Sequence, residues 1–133
     1  MPDLDAMLDA AQAARLKAYA PYSKFLVGAA IQSGSGAIFA GANVENAAYP
    51  QGSCAEASAI SAMVMAGERR IAAMVVVGGG EGLTTPCGGC RQRIREFAGG
   101  ATPIHVAGPE GLRASFTLAE LLPHSFGPEN LTA

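Results

Sequence analysis

The chain has 133 residues, half of them apolar and 15% charged, with a net charge of −2 at pH 7. That length suits one domain with a buried core, and high apolar content with low charge excludes a disordered chain. Its nine Lys and Arg are scattered, so no basic patch for nucleic acid is visible, and no apolar run approaches a membrane span.

Asp3 reads as the N-cap of a first helix, with Leu4, Met7, Leu8 and Ala11 on one apolar face and Pro21 marking its end. Phe25–Gln32 and Ala37–Val44 read as strands joined by the hairpin signal Ser33-Gly34-Ser35-Gly36. A second helix fits Cys54–Ala66, where Ala59, Ile60, Met63 and Val64 recur at helical spacing before Gly67. Ile71–Val77 is nearly continuous in apolar residues, as in a strand covered on both faces. After a loop over Gly78–Thr85 comes a third helix, Cys87–Phe97, ended by Gly99-Gly100. Short strands are expected at Pro103–Ala107 and Ser115–Leu118 around the turn Pro109-Glu110-Gly111. A helical turn at Leu118–Leu122 precedes a tail punctuated by Pro and Gly. No repeat or linker interrupts this order, so a single domain over 1–133 is expected. Alternating helices and strands imply a layered α/β sandwich.

All three cysteines fall in two short motifs, Cys54-Ala55-Glu56 and Pro86-Cys87-Gly88-Gly89-Cys90. Three thiolates can hold zinc and leave its fourth position to water, the layout of a catalytic site. A carboxylate two residues from one ligand can move protons for the attacking water. Both motifs fall at predicted helix N-termini, where partial positive charge favours thiolate. Cys87 and Cys90, three apart, share one helix face. Two other readings stay open on the residues alone. A Cys-Gly-Gly-Cys pair opening a helix is also the form of a redox dithiol, though such a site has no use for Cys54 and Glu56. A structural zinc site wants a fourth ligand, and the only histidines, His105 and His124, lie in a predicted strand and the tail. The odd cysteine count, with no secretory signal in an N-terminal stretch carrying Asp3, Asp5 and Asp9, predicts a reducing, cytoplasmic setting.

This pattern resembles the zinc-dependent cytidine deaminases. The likeness continues through Pro21-Tyr22-Ser23-Lys24-Phe25, Asn43-Val44-Glu45-Asn46-Ala47, Tyr49-Pro50, Pro86 to Gln92, and Leu121 to Leu131 with Phe126-Gly127-Pro128. With those flanks it is similar to the small homotetrameric nucleoside branch. The resemblance implies a three-layer α/β/α sandwich around a mixed five-stranded sheet. It also implies hydrolytic deamination of cytidine and 2′-deoxycytidine in pyrimidine salvage by a zinc-bound hydroxide. Cys54, Cys87 and Cys90 match the zinc ligands and Glu56 the proton shuttle. Asn43 and Glu45 match a ribose-binding pair, which in a strand would point to one side. Phe25 matches an aromatic that packs on the base, and Ala55 is among the substrate-binding positions. Phe126 and Tyr49 match contacts that reach across subunits of a homotetramer. The implied partner is a pyrimidine nucleoside, with no nucleic acid and no membrane.

One position departs from the pattern. Members with three cysteine ligands commonly carry an arginine directly after the glutamate, and here that residue is Ala57. Three thiolates around zinc leave a net negative charge, which that arginine offsets by hydrogen bonding to the sulfurs. Without it the task is left to the helix N-termini and another arginine such as Arg91. An alanine there is also similar to the blasticidin S deaminases, so a cytosine-containing antibiotic is an alternative substrate. A non-enzymatic zinc or redox module is the alternative of another class.

Overall fold

Asp3 opens helix α1 (Leu4–Arg15) by accepting the Ala6 N–H at 3.1 Å, and the helix buries Met7 and Ala11 completely. These positions come from a computed structural model that describes residues 2–132. The helix stops at Arg15, well short of Pro21. Tertiary pairing ends it: Tyr19 N donates to Asn43 O at 2.9 Å, and Glu45 N donates to Tyr19 O at 2.8 Å. The segment before Pro21 is therefore extended and bridges Val44.

Strands β1 (Val27–Ser33) and β2 (Ile38–Ala42) form the expected antiparallel hairpin. It closes through Ser33 N to Ala37 O and Gly36 N to Ser33 O, both at 2.9 Å. Its open end is shorter than the sequence suggests, because the Asn43 side chain takes over from the ladder. Asn43 Oδ1 accepts from Val27 N, and Asn43 Nδ2 donates to Phe25 O, each at 2.9 Å. A 3₁₀ turn at Tyr49–Gln51 leads to helix α2 (Ala55–Met65), capped by Cys54. Strand β3 (Ile71–Gly78) buries seven of its eight residues, as a central strand should. Helix α3 (Gly88–Phe97), capped by Cys87, crosses over to β4 (Pro103–Gly108), and β4 turns back into β5 (Gly111–Thr117). Strand β5 begins four residues before the predicted Ser115, paired from Gly111 opposite Gly108. Gly111, Arg113 and Ala114 have little intrinsic strand preference, so the ladder with β4 imposes the conformation. Leu118, expected to end the strand, starts α4 (Leu118–Leu121) instead, where Thr117 and Glu120 make a capping box.

The sheet runs β2-β1-β3-β4-β5, with β3 and β4 parallel and every other pair antiparallel. Alternation along the strands builds two cores. On one face α1 packs Met7 and Ala11 on Ala30, Ala73, Val75, Val77 and Ala107. On the other, Ala55, Ala59 and Met63 of α2, Ile94 of α3 and Leu118 of α4 cover Ile31, Met74, Val76 and Ile104. The result is the three-layer α/β/α sandwich around a mixed five-stranded sheet.

The helix carrying Cys54 and Glu56 lies unusually close to the sheet. A Cβ added at Gly41 of β2 would overlap the backbone of Ala55 and Ala59. Gly41→Ala is therefore expected to destabilise the protein by roughly 1–3 kcal/mol by pushing α2 off the sheet. The check is a lower denaturant midpoint at unchanged slope. A midpoint equal to that of the parent would show that the helix yields without cost.

Candidate active site

Cys54 and Cys87 are the N-cap residues of α2 and α3, both with extended backbone (ψ 157° and 167°), and Cys90 lies in the first turn of α3. The two helix starts bring the sulfurs together. Cys54 Sγ is 4.0 Å from Cys87 Sγ, and all three sulfurs lie within 4.8 Å of one another. No two are bonded, since all three thiols are free. Tetrahedral zinc with Zn–S of about 2.3 Å wants sulfurs about 3.8 Å apart, so three soft donors at this spacing fit zinc with one position left open. Among the described residues no other His, Cys, Asp and Glu side chains converge in this way.

The sulfurs differ in surroundings. Burial pushes the Cys90 thiol well above its ordinary range and raises Cys54 as well. Cys87, the most exposed, is lowered, first by the backbone N–H of Cys90. Glu56 is 5% exposed, and burial raises its proton affinity above that of an ordinary carboxyl. It borders a cavity of about 180 Å³ with Val27, Asn43, Cys54, Ala55, Thr84, Thr85 and Cys87. A carboxyl held out of water beside three metal-binding sulfurs, facing a space for a small ring, is suited to carry protons.

A second, larger cavity of about 380 Å³ is lined by Tyr22, Ser23, Glu45, Asn46, Tyr49 and Gly52. It contains no sulfur, so the chemistry belongs to the smaller one. Strand β2 ends at Ala42, and Asn43 and Glu45 therefore do not share one face of a regular strand: Asn43 lines the cysteine cavity and Glu45 the larger one. The Glu45 carboxylate accepts Tyr22 N at 2.9 Å, Ser23 N at 3.1 Å and the Ser23 hydroxyl. Lys24, in the left-handed region at φ 62°, turns the chain beyond that contact toward Phe25.

Of the sequence-predicted residues, Cys54, Ala55, Glu56, Cys87, Cys90 and Asn43 meet in one place. Phe25 is partly exposed beside Gly80, and Tyr49 is exposed with its ring edge-on to Tyr22 at 5.9 Å. Phe126 is exposed, its carbonyl accepting from Gln92 Nε2 at 2.9 Å. Arg91 does not reach the sulfurs. It donates to Pro86 O and Leu121 O, both at 2.7 Å, and to Thr85 Oγ1 at 3.1 Å, so it braces the loop before α3. Sequence reasoning missed Val27, Thr84 and Thr85 in the cavity wall. It also missed Arg93, whose Nη1 donates to Cys90 Sγ at 3.6 Å. The three-residue spacing from Cys90 was the available signal.

Residues 1–106 match the family model for the cytidine and deoxycytidylate deaminase zinc-binding region. A cytidine deaminase of Sporosarcina psychrophila is 42% identical over 130 residues, 98% of this chain and 96% of that protein. One from Halalkalibacterium halodurans is 36% identical, covering 97% of this chain and 98% of its own length. The crystal structure of cytidine deaminase from Burkholderia pseudomallei superposes with a TM-score of 0.87 at 41% identity, over 93% of this chain and 99% of that one.

The Glu45 contact yields a direct expectation. Its hydrogen bonds from Ser23 and Tyr22 hold the carboxylate below the ordinary 4.5, so they operate fully above that pH and fade as pH falls through the lowered folded value. Glu45→Ala is expected to speed amide hydrogen exchange at Tyr22 and Ser23 at neutral pH, leaving β3 amides unchanged. Unaltered exchange at both amides would show that the carboxylate does not hold this segment.

Proposed function

The chain belongs to the cytidine and deoxycytidylate deaminase zinc-binding family, and on that premise we propose that it hydrolyses cytidine and 2′-deoxycytidine to uridine and 2′-deoxyuridine with release of ammonia. The observation that carries this reading is Glu56, buried beside three converging cysteine sulfurs at the wall of one small cavity. Cys54, Cys87 and Cys90 would hold zinc. When bound, the metal supplies the Lewis acidity that makes water a nucleophile near neutral pH.

The protein's own part is proton movement and placement. Replacing the 4-amino group by oxygen moves both protons of the water: one passes to ring N3, and the second, left on the attacking oxygen, passes to the departing nitrogen, which leaves as ammonia. Glu56 serves both relays, taking each proton from the oxygen and passing it on, from a position at the cavity wall where burial raises its proton affinity. Thr84, Thr85 and Val27 close the walls around the base. Asn43 orients the ribose side from the same cavity, and its amide, already tied to Val27 and Phe25, enters that role rigidly held. Glu45 reaches the sugar from the adjoining segment with acceptor capacity remaining on its carboxylate.

Phe25, Tyr49 and Phe126 are exposed in a single chain. They complete the site in a homotetramer, Phe25 packing on the base of its own subunit, Tyr49 and Phe126 reaching a neighbour's. Other apolar side chains at the surface, Leu16, Met65 and Leu131 among them, favour such burial. No helix among the described residues is long and apolar enough to cross a membrane. A single-domain, cytoplasmic salvage enzyme is the reading that accommodates these features.

The test is ammonia release from cytidine, deoxycytidine, cytosine and blasticidin S, with turnover expected for the first two. Turnover of blasticidin S alone would reassign the substrate, and turnover of none would remove the enzymatic reading. Glu56→Gln is expected to keep one zinc per chain and the parent's melting behaviour while losing at least ~10²–10⁴-fold in kcat. Near-parental deamination by that variant would take Glu56 out of the mechanism. Light scattering is expected to give four chains per particle, and a fully active monomer would exclude a cross-subunit role for Phe126.

A further inference from the structure

A zinc ion bound by three thiolates retains one net negative charge, and Glu56 adds another carboxyl beside it. The residue after Glu56 is Ala57, which brings no compensation. Most arginines of known placement are engaged elsewhere. Arg15 donates to Leu26 O, Arg91 to the loop before α3, Arg95 to Ser125 and Glu129, and Arg113 to Glu110.

Arg93 is placed differently. It follows Cys90 by three residues on α3, on the same helix face, and its Nη1 donates to Cys90 Sγ at 3.6 Å. A guanidinium is always charged and can only donate, and a metal-binding thiolate is an anionic acceptor, so this contact is strongest in the form that takes the metal. We propose that Arg93 is a positioning residue of the metal site, orienting the Cys90 thiolate and balancing the excess negative charge from the α3 side. This proposal rests on Cys54, Cys87 and Cys90 being the zinc ligands.

The experiment is zinc competition against a chromophoric chelator at neutral pH, with circular dichroism and melting of each zinc-free protein alongside. Arg93→Gln is expected to raise the zinc dissociation constant about 10–100-fold, the usual effect of removing a partner of a metal ligand, without altering the zinc-free fold. Arg93→Lys should recover part of the loss. Ala57→Arg placed on Arg93→Gln should also recover part, supplying charge from α2. Arg69→Gln removes the same charge from a side chain that donates to Val64 O and Glu68 O, and should match the parent. Parental zinc affinity in Arg93→Gln would overturn the proposal, as would an equal loss in Arg69→Gln. Failure of both Arg93→Lys and Ala57→Arg to improve on Arg93→Gln would overturn the charge-balancing role. A parent protein that takes up no zinc would overturn the ligand assignment itself, a failure the first measurement separates from the others.

Discussion

Two helices that begin at one point in space each leave unpaired backbone N–H groups there, and each brings roughly half a positive charge. Cys54 and Cys87 occupy those two starting points, and their sulfurs stand 4.0 Å apart. Everything about the site depends on this convergence, and the sheet enforces it. Helix α2 can approach only because Gly41 of β2 has no side chain. Helix α3 is the crossover between the parallel strands β3 and β4, so its start must lie just beyond the end of β3. The middle of a covered sheet thus determines where the sulfurs meet.

The convergence also sorts the acids. Cys90 points into the core, where burial opposes charge, while Cys87 stays near solvent with a backbone N–H to stabilise its anion. Metal binding must overcome the first of these, and a nearby cation helps it do so. Glu56 shares the burial of Cys90 but faces the cavity, so the same low polarity that disfavours a thiolate raises the proton affinity of this carboxyl. Under the proposed function one environment would serve two different tasks, with metal compensating the sulfurs and substrate meeting the carboxyl.

Much of this was legible in the sequence, because the strongest signals are local. Asp3, Gly67 and the apolar run at Ile71–Val77 mark a cap, a stop and a central strand by chemistry that needs no partner. What was not legible depends on distant segments. Helix α1 stops early because Tyr19 pairs with residues 43–45, a contact no periodicity reveals. Strand β5 extends over Gly111 and Arg113 because β4 supplies its ladder. Arg91 shows the same limit at the site, since its partner Leu121 lies far along the chain, whereas the spacing of Arg93 from Cys90 on a predicted helix was a local signal. Both lie close to Cys90 in sequence, but only the helical phase decides that Arg93 turns to the sulfur while Arg91 turns to Pro86 and Leu121.

Helix α3 joins the chemistry to the rest of the surface. Its first turn carries Cys90, and its next turns hold the segment after α4: Gln92 donates to Phe126 O, and Arg95 donates to Ser125 and pairs with Glu129. A Cβ at Gly127 would overlap the Arg95 guanidinium, so the segment lies flat against the helix at that point. An ion pair with one exposed partner adds little stability by itself. Several contacts along one helix, however, fix the direction in which the aromatic ring at Phe126 leaves the surface. A ring anchored on the helix that also carries Cys87 and Cys90 at its start keeps a constant position relative to the sulfurs of its own chain.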